Sequence, residues 1–194
     1  MSFSSIFSPL AHLSGGTKFL ALGLSLGPCG FFPWAPGTVG SGVAVIFLAL
    51  FPKIFGNKLL AFLAVKPLFW ISAGLLTLFF FYAGKLAIDR LLTTLGPQDF
   101  AWIVFDEALG ILLTTLLALA IVVGRQGGEV LLNMAWVKFW ILVLVSFRIF
   151  DISKIFPVGW VDQHWINGAG IMLDDLLAAI YAGCLSGILY LFWA

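Results

Sequence analysis

Charge is scarce in this chain of 194 residues: 10% of positions are Asp, Glu, Lys or Arg, while 62% are hydrophobic. The net charge of +1 includes no block of like sign, which excludes a basic arm, an acidic tail or a nucleic-acid surface. Cysteine and histidine are scarcer still, with two of each. Cys29 and Cys184 sit in apolar surroundings without a CxxC spacing or an activating neighbour and read as packing residues. His12 and His164 belong to no metal-ligand pattern and read as structural. The first sixteen residues lack a basic start, so a cleaved signal peptide is not expected. Repeats, low-complexity tracts and linkers are absent as well, which leaves one domain over residues 1–194.

What the chain has is apolar length. A mean hydropathy of +1.12, with 20 Phe and 8 Trp, exceeds what one soluble core needs and indicates an all-α integral membrane protein embedded in a lipid bilayer. Apolar runs give about five transmembrane helices, near 38–55, 67–84, 108–124, 130–147 and 176–194. Residues 18–37 are apolar too, but Pro28, Pro33, Pro36 and several glycines suit a broken or re-entrant segment better than a further span. Alternating crossings place Gly37–Ser41, Lys85–Glu107 and Arg148–Asp175 on one side, with Pro52–Lys66 and Arg125–Glu129 opposite. Lysine and arginine divide five to four in favour of the first side, a slight preference for its being cytoplasmic. Lys138 falls near the middle of the fourth span, where it faces a polar interior, snorkels, or marks a span that begins later.

The carboxylates are not scattered. Asp89, Asp99, Asp106, Glu107, Asp151, Asp162, Asp174 and Asp175 all fall on the first side, and only Glu129 stands apart. Acids at membrane depth cost roughly 2.5–3.5 kcal/mol each on insertion scales, so their gathering calls for a cause. Asp106-Glu107 before an apolar helix either complements its dipole or supplies oxygen ligands to a hard divalent cation such as Mg²⁺, with Asp174-Asp175 as a matching pair. Arg148, Asp151 and Lys154 recur every three residues. They form either an interfacial salt-bridge ladder or a site in which Arg148 and Lys154 hold phosphate oxygens and Asp151 a metal. Near the first span, Pro36-Gly37-Thr38-Val39-Gly40-Ser41 reads as a helix breaker with Thr38 or Ser41 as N-cap, or as a helix N-terminus that binds phosphate; the Lys and spacing of a P-loop are missing, which argues against ATP.

These motifs, in this order, resemble the phosphatidylglycerophosphatase A family: Pro36 to Ser41, Ile103-Val104-Phe105-Asp106-Glu107, Phe147 to Lys154, and Gly168 to Asp175 followed by Ala178, over about residues 24–185. Phe105 stands where the family commonly has Trp, Ile155-Phe156-Pro157 replaces Pro-Trp-Pro, and Asn167 occupies a frequent Gly position. None of these differences removes a carboxylate, the arginine or the lysine. The resemblance implies a Mg²⁺-dependent phosphatase of the bacterial inner membrane that hydrolyses phosphatidylglycerophosphate to phosphatidylglycerol and phosphate on the cytoplasmic face. Asp106, Glu107, Asp151, Asp174 and Asp175 are the expected catalytic residues. The first two and last two are the expected metal ligands, with Asp99 and Asp151 as further candidates, and Thr38, Arg148 and Lys154 are the expected phosphate contacts. A cysteine-phosphatase loop and a His-centred motif are absent, which favours attack by water over a covalent phosphoenzyme. A CDP-alcohol phosphotransferase is the nearer alternative and an ion-coupled transporter the more distant one; the acids near span ends speak against the latter.

Overall fold

The computed structural model describes residues 14–96 and 100–193, and every regular element among them is helical. The N-terminal segment is broken as expected. Helix α1 (Gly15–Leu24) is followed by a 3₁₀ turn at Cys29–Phe31, and its ten residues extend only about 15 Å, half a hydrocarbon core. Helix α2 (Pro36–Phe55) begins with Pro36 in its first turn, where a missing N–H costs nothing, and stops at Gly56 with φ 78°. After the short α3 (Asn57–Ala64), α4 (Pro67–Leu95) runs for 29 residues, about 43 Å. Its last turns therefore project beyond the apolar layer. Then follow α5 (Phe105–Gln126), a 3₁₀ turn at Gly128–Leu132, α6 (Trp136–Ser153), the short α7 (Val158–His164) and α8 (Gly168–Trp193).

Four helices, α2, α4, α5 and α8, are long and apolar enough to cross a membrane. The expected fourth span, 130–147, is displaced: α6 starts at Trp136, runs to Ser153, and carries Lys138, Arg148 and Asp151, so it is not among the four. The later start also resolves Lys138. It is the third residue of α6, exposed at the far end of the bundle, with its ammonium 5.2 Å from the centre of the Trp193 ring. With Lys138 there, Lys53, Lys58, Lys66, Arg125 and Lys138 lie at the far end against Lys18, Lys85, Arg90, Arg148 and Lys154 at the other. The five-to-four preference becomes an even division, and the positive-inside rule gives no orientation.

The core is a close pairing of α5 with α8, and small residues are its cause. Ala178, Ala179, Ala182, Gly183, Ser186 and Gly187 are buried on α8. A Cβ on Gly183 would stand 2.6 Å from the Leu117 Cβ, and one on Gly187 2.9 Å from the Ile121 Cβ. In lipid, where association gains little from the hydrophobic effect, such close backbone approach supplies the packing. Helix α6 lies along α8, joined by Ser186 to the Leu142 carbonyl at 3.3 Å and, at the far end, by the Ala135 N–H to the Tyr190 hydroxyl at 2.9 Å. Gly110 makes room for the Phe147 ring, whose Cε2 would be 2.5 Å from an added Cβ. Cys29 is half-buried, whereas Cys184 is exposed on α8 and faces the surroundings of the protein rather than its interior.

Candidate functional site

Helix lengths decide where the acids meet. Because α5 begins at Phe105 and α8 at Gly168, Asp106 and Glu107 occupy the first turn of α5, and Asp174 and Asp175 lie in the second turn of α8 rather than ahead of it. Both α8 aspartates are buried, at 7% and 5% exposure. The start of α8 is fixed from two sides. Asn167 accepts from the Gly170 N–H at 2.9 Å, which is an N-capping contact, and Asp89 of α4 accepts from the Gly168 N–H at 2.7 Å while pairing with Lys85 at 2.8 Å. Asp89 thus anchors the helix and does not line the site. Asn167, noted above for replacing a glycine, has its own task as the cap.

A cavity of about 730 Å³ opens at this end of the bundle, and Thr38, Asp106, Glu107, Arg148, Asp151, Lys154, Asp174 and Asp175 all line it. Every predicted site residue except one is therefore brought together. Asp99 is the exception, and it lies outside the described residues. His164 stacks on Trp160 and is not among the residues lining the cavity, and His12, like Asp99, is outside the described residues.

Arg148 is held in place before any ligand arrives. Its Nη1 lies 2.7 Å from Asp151 Oδ2, 3.7 Å from Glu107 Oε1 and 3.5 Å from Ser41 Oγ. The ladder reading is thus correct for Arg148 and Asp151, but Lys154 leaves it. As the C-cap of α6, in the left-handed region at φ 45°, Lys154 turns away from the helix to pair with Asp162 of α7 and with Asp174 at 3.1 Å. Burial works against its charge, yet the hydrogen bonds and fields of Asp162 and Asp174 prevail and hold the ammonium above its usual pKa. It stays cationic at any physiological pH.

Two members of the site escaped the sequence reading. Asp162 lies on the short α7, whose return to the cavity has no periodic signature. Gly37 is the other: a Cβ there would collide with Glu107 Oε1 and come within 3.2 Å of Arg148 Nη1. Proline followed by glycine at a helix start was its available signal. Neither Thr38 nor Ser41 caps α2, contrary to one expectation. The N-cap is Ala35, which has no side-chain acceptor, and Ser41 donates instead to the Gly37 carbonyl at 2.8 Å. The first turn of α2 therefore presents its N–H groups, together with the exposed Thr38, at the cavity edge.

The charge balance is lopsided. Six carboxylates, including Asp162, line the cavity with only Arg148 and Lys154 to oppose them, and among the described residues Asp106 and Asp175 have no cationic partner. Asp175 is within the repulsive reach of Asp106, Asp151, Asp174 and Glu107. Such a set is costly without a bound cation. Among the described residues no three Asp, Glu, His or Cys side chains gather tightly enough to hold a metal by themselves. Mg²⁺ does not require that, since it keeps waters and takes one or two carboxylates along with substrate phosphate oxygens. The donor chemistry fits such an ion.

Known proteins are similar to this chain over most of its length. A family model described as Phosphatidylglycerophosphatase A matches residues 23–190. The chain is 35% identical over 149 residues to Phosphatidylglycerophosphatase A of Haemophilus influenzae, covering 76% of this chain and 74% of that one. It is 29% identical over 178 residues to the Escherichia coli protein of the same name, covering 92% and 84%. A Bacteroides thetaiotaomicron protein named "Putative phosphatidylinositol-3-phosphatase" is 35% identical over 154 residues, covering 79% and 82%. No solved structure matches. The match runs from the end of α1 almost to the end of α8 and takes in every helix that brings a side chain to the cavity, so the chain belongs to the phosphatidylglycerophosphatase A family.

Proposed function

We propose that this protein hydrolyses the terminal phosphomonoester of phosphatidylglycerophosphate, giving phosphatidylglycerol and inorganic phosphate for glycerophospholipid synthesis, with Mg²⁺ as cofactor, on the cytoplasmic face of a bacterial inner membrane. The observation that carries the reading is the cavity's composition: two tethered cations facing an excess of carboxylates at the end of an apolar bundle. A phosphate monoester is itself anionic. Arg148 and Lys154 alone do not make this cavity attractive to it, and a divalent cation on the unpaired acids does.

Asp106, Glu107, Asp174 and Asp175 would hold the ion, with Asp151 nearby. When bound, Mg²⁺ supplies Lewis acidity toward phosphoryl oxygens and neutralises their charge. Arg148 offers a guanidinium already oriented by Asp151 and Glu107, suited to two phosphate oxygens at once, and Lys154 adds a point charge. The first-turn N–H groups of α2 and the Thr38 hydroxyl complete the phosphate cradle. Water attacks phosphorus, the bond to the glycerol oxygen breaks, and that oxygen leaves as an alcohol after protonation. The diacylglycerol portion stays in the bilayer beside the cavity mouth, so the substrate need not leave the lipid phase.

The test is phosphate release by the purified chain in detergent or vesicles. Phosphatidylglycerophosphate should be consumed with Mg²⁺ and not in chelator, with no CDP-lipid present. Turnover that persists in chelator, or that needs a CDP-lipid, overturns the proposal. Assaying phosphatidylinositol 3-phosphate in parallel decides the head group, because faster release from it would reassign the substrate while leaving the phosphomonoesterase chemistry in place.

A further inference from the structure

A second cavity, of about 950 Å³, lies at the opposite end of the bundle between the C-terminal turns of α2, the start of α3 and the first turns of α6. Its polar lining is Lys53, Lys58, Asn57 and the indoles of Trp136 and Trp140; the remainder, including Ala49 and Val137, is apolar, and no carboxylate takes part. Among the described residues neither lysine has an ion-pair partner. The Trp136 indole N–H is buried and has no acceptor among the described residues.

We infer that this cavity binds one anionic glycerophospholipid, with its phosphate on Lys53 and Lys58 and one acyl chain along the apolar wall. Charge complementarity selects the occupant. Two unpaired ammonium groups at the membrane–water boundary attract an anionic head group. The stacked indoles of Trp136 and Trp140, with ring centres 6.1 Å apart, have the amphipathic character that settles tryptophan at head-group depth. A free anion would use the lysines but leave the apolar wall uncovered, which favours the lipid over inorganic phosphate. Pro52, in the last turn of α2 four residues before the Gly56 that ends the helix, also lines the cavity.

This site is independent of the phosphatase reading, and the experiment keeps the two apart. The full chain is purified in zwitterionic detergent, in chelator, so that the acidic cavity has no divalent cation with which to recruit phosphate. It is then mixed with equal amounts of phosphatidylglycerol and phosphatidylcholine of matched chains, and retained lipid is counted by native mass spectrometry. One phosphatidylglycerol should be retained in preference to phosphatidylcholine, and the double variant K53Q/K58Q, altered only at exposed side chains, should lower that retention by roughly thirty-fold. W136F should lower it by a few-fold. R125Q, which removes a cation of the same end outside the cavity, should leave it unchanged. Equal retention of the two lipids, an equal loss in R125Q, unchanged retention in K53Q/K58Q with the fold intact by circular dichroism, or full displacement by millimolar inorganic phosphate would each overturn the inference.

Discussion

The two ends of this bundle are built from the same apolar helices and carry opposite chemistry. At one end Asp89, Asp106, Glu107, Asp151, Asp162, Asp174 and Asp175 converge through α4, α5, α6, α7 and α8; at the other, among the described residues, five cations share the end with Glu129. The difference lies in what each charge is tied to. Arg148 and Lys154 are held by neighbouring carboxylates, whereas among the described residues Lys53 and Lys58 have no ion-pair partner and Lys138 rests on an aromatic ring. A membrane protein tolerates buried acids where they are put to use, and solvates its remaining charge at the interface.

Several substitutions would break or sharpen that contrast. The largest effect is expected for Asp175→Asn, which should cut kcat/KM by at least about a hundred-fold while leaving thermal stability equal or higher, because it removes a buried charge surrounded by like charges. Phosphate-release kinetics paired with a melting curve check this, and loss of activity through loss of fold would speak against it. Arg148→Lys should follow, with roughly a ten-fold to hundred-fold loss, since an ammonium cannot hold Asp151 and present a fork to phosphate together. Asp89→Ala should reverse the pattern: the anchor of α8 is lost at a cost of about 1 kcal/mol in chemical denaturation, with turnover changed by only a few-fold. Smallest of all, Lys138→Gln should cost about 0.5–1 kcal/mol of stability and leave kinetics untouched.

Much of the site could be read from the chain because each motif ends or begins a helix, and helices that alternate direction must bring such ends to the same side. The pairs Asp106-Glu107 and Asp174-Asp175 met for that reason. Helix boundaries were less legible. Hydropathy alone started the last span at 176, whereas Asn167 and Asp89 start α8 at Gly168, and this places two aspartates inside the helix and buries them. Lys138 looked central because an apolar run does not distinguish the 3₁₀ turn at Gly128–Leu132 from the helix that follows it. Asp162 was invisible as a site residue because its route to Lys154 depends on a chain reversal after α6, which no spacing rule encodes.

The proposed function depends on acids from separate helices holding Mg²⁺ together. Calorimetric titration of the purified, detergent-solubilised chain with Mg²⁺ tests that without reference to turnover. The account predicts saturable binding that disappears in the double variant D106N/D175N and survives in K53Q/K58Q; an isotherm unaltered by loss of the two carboxylates would contradict it.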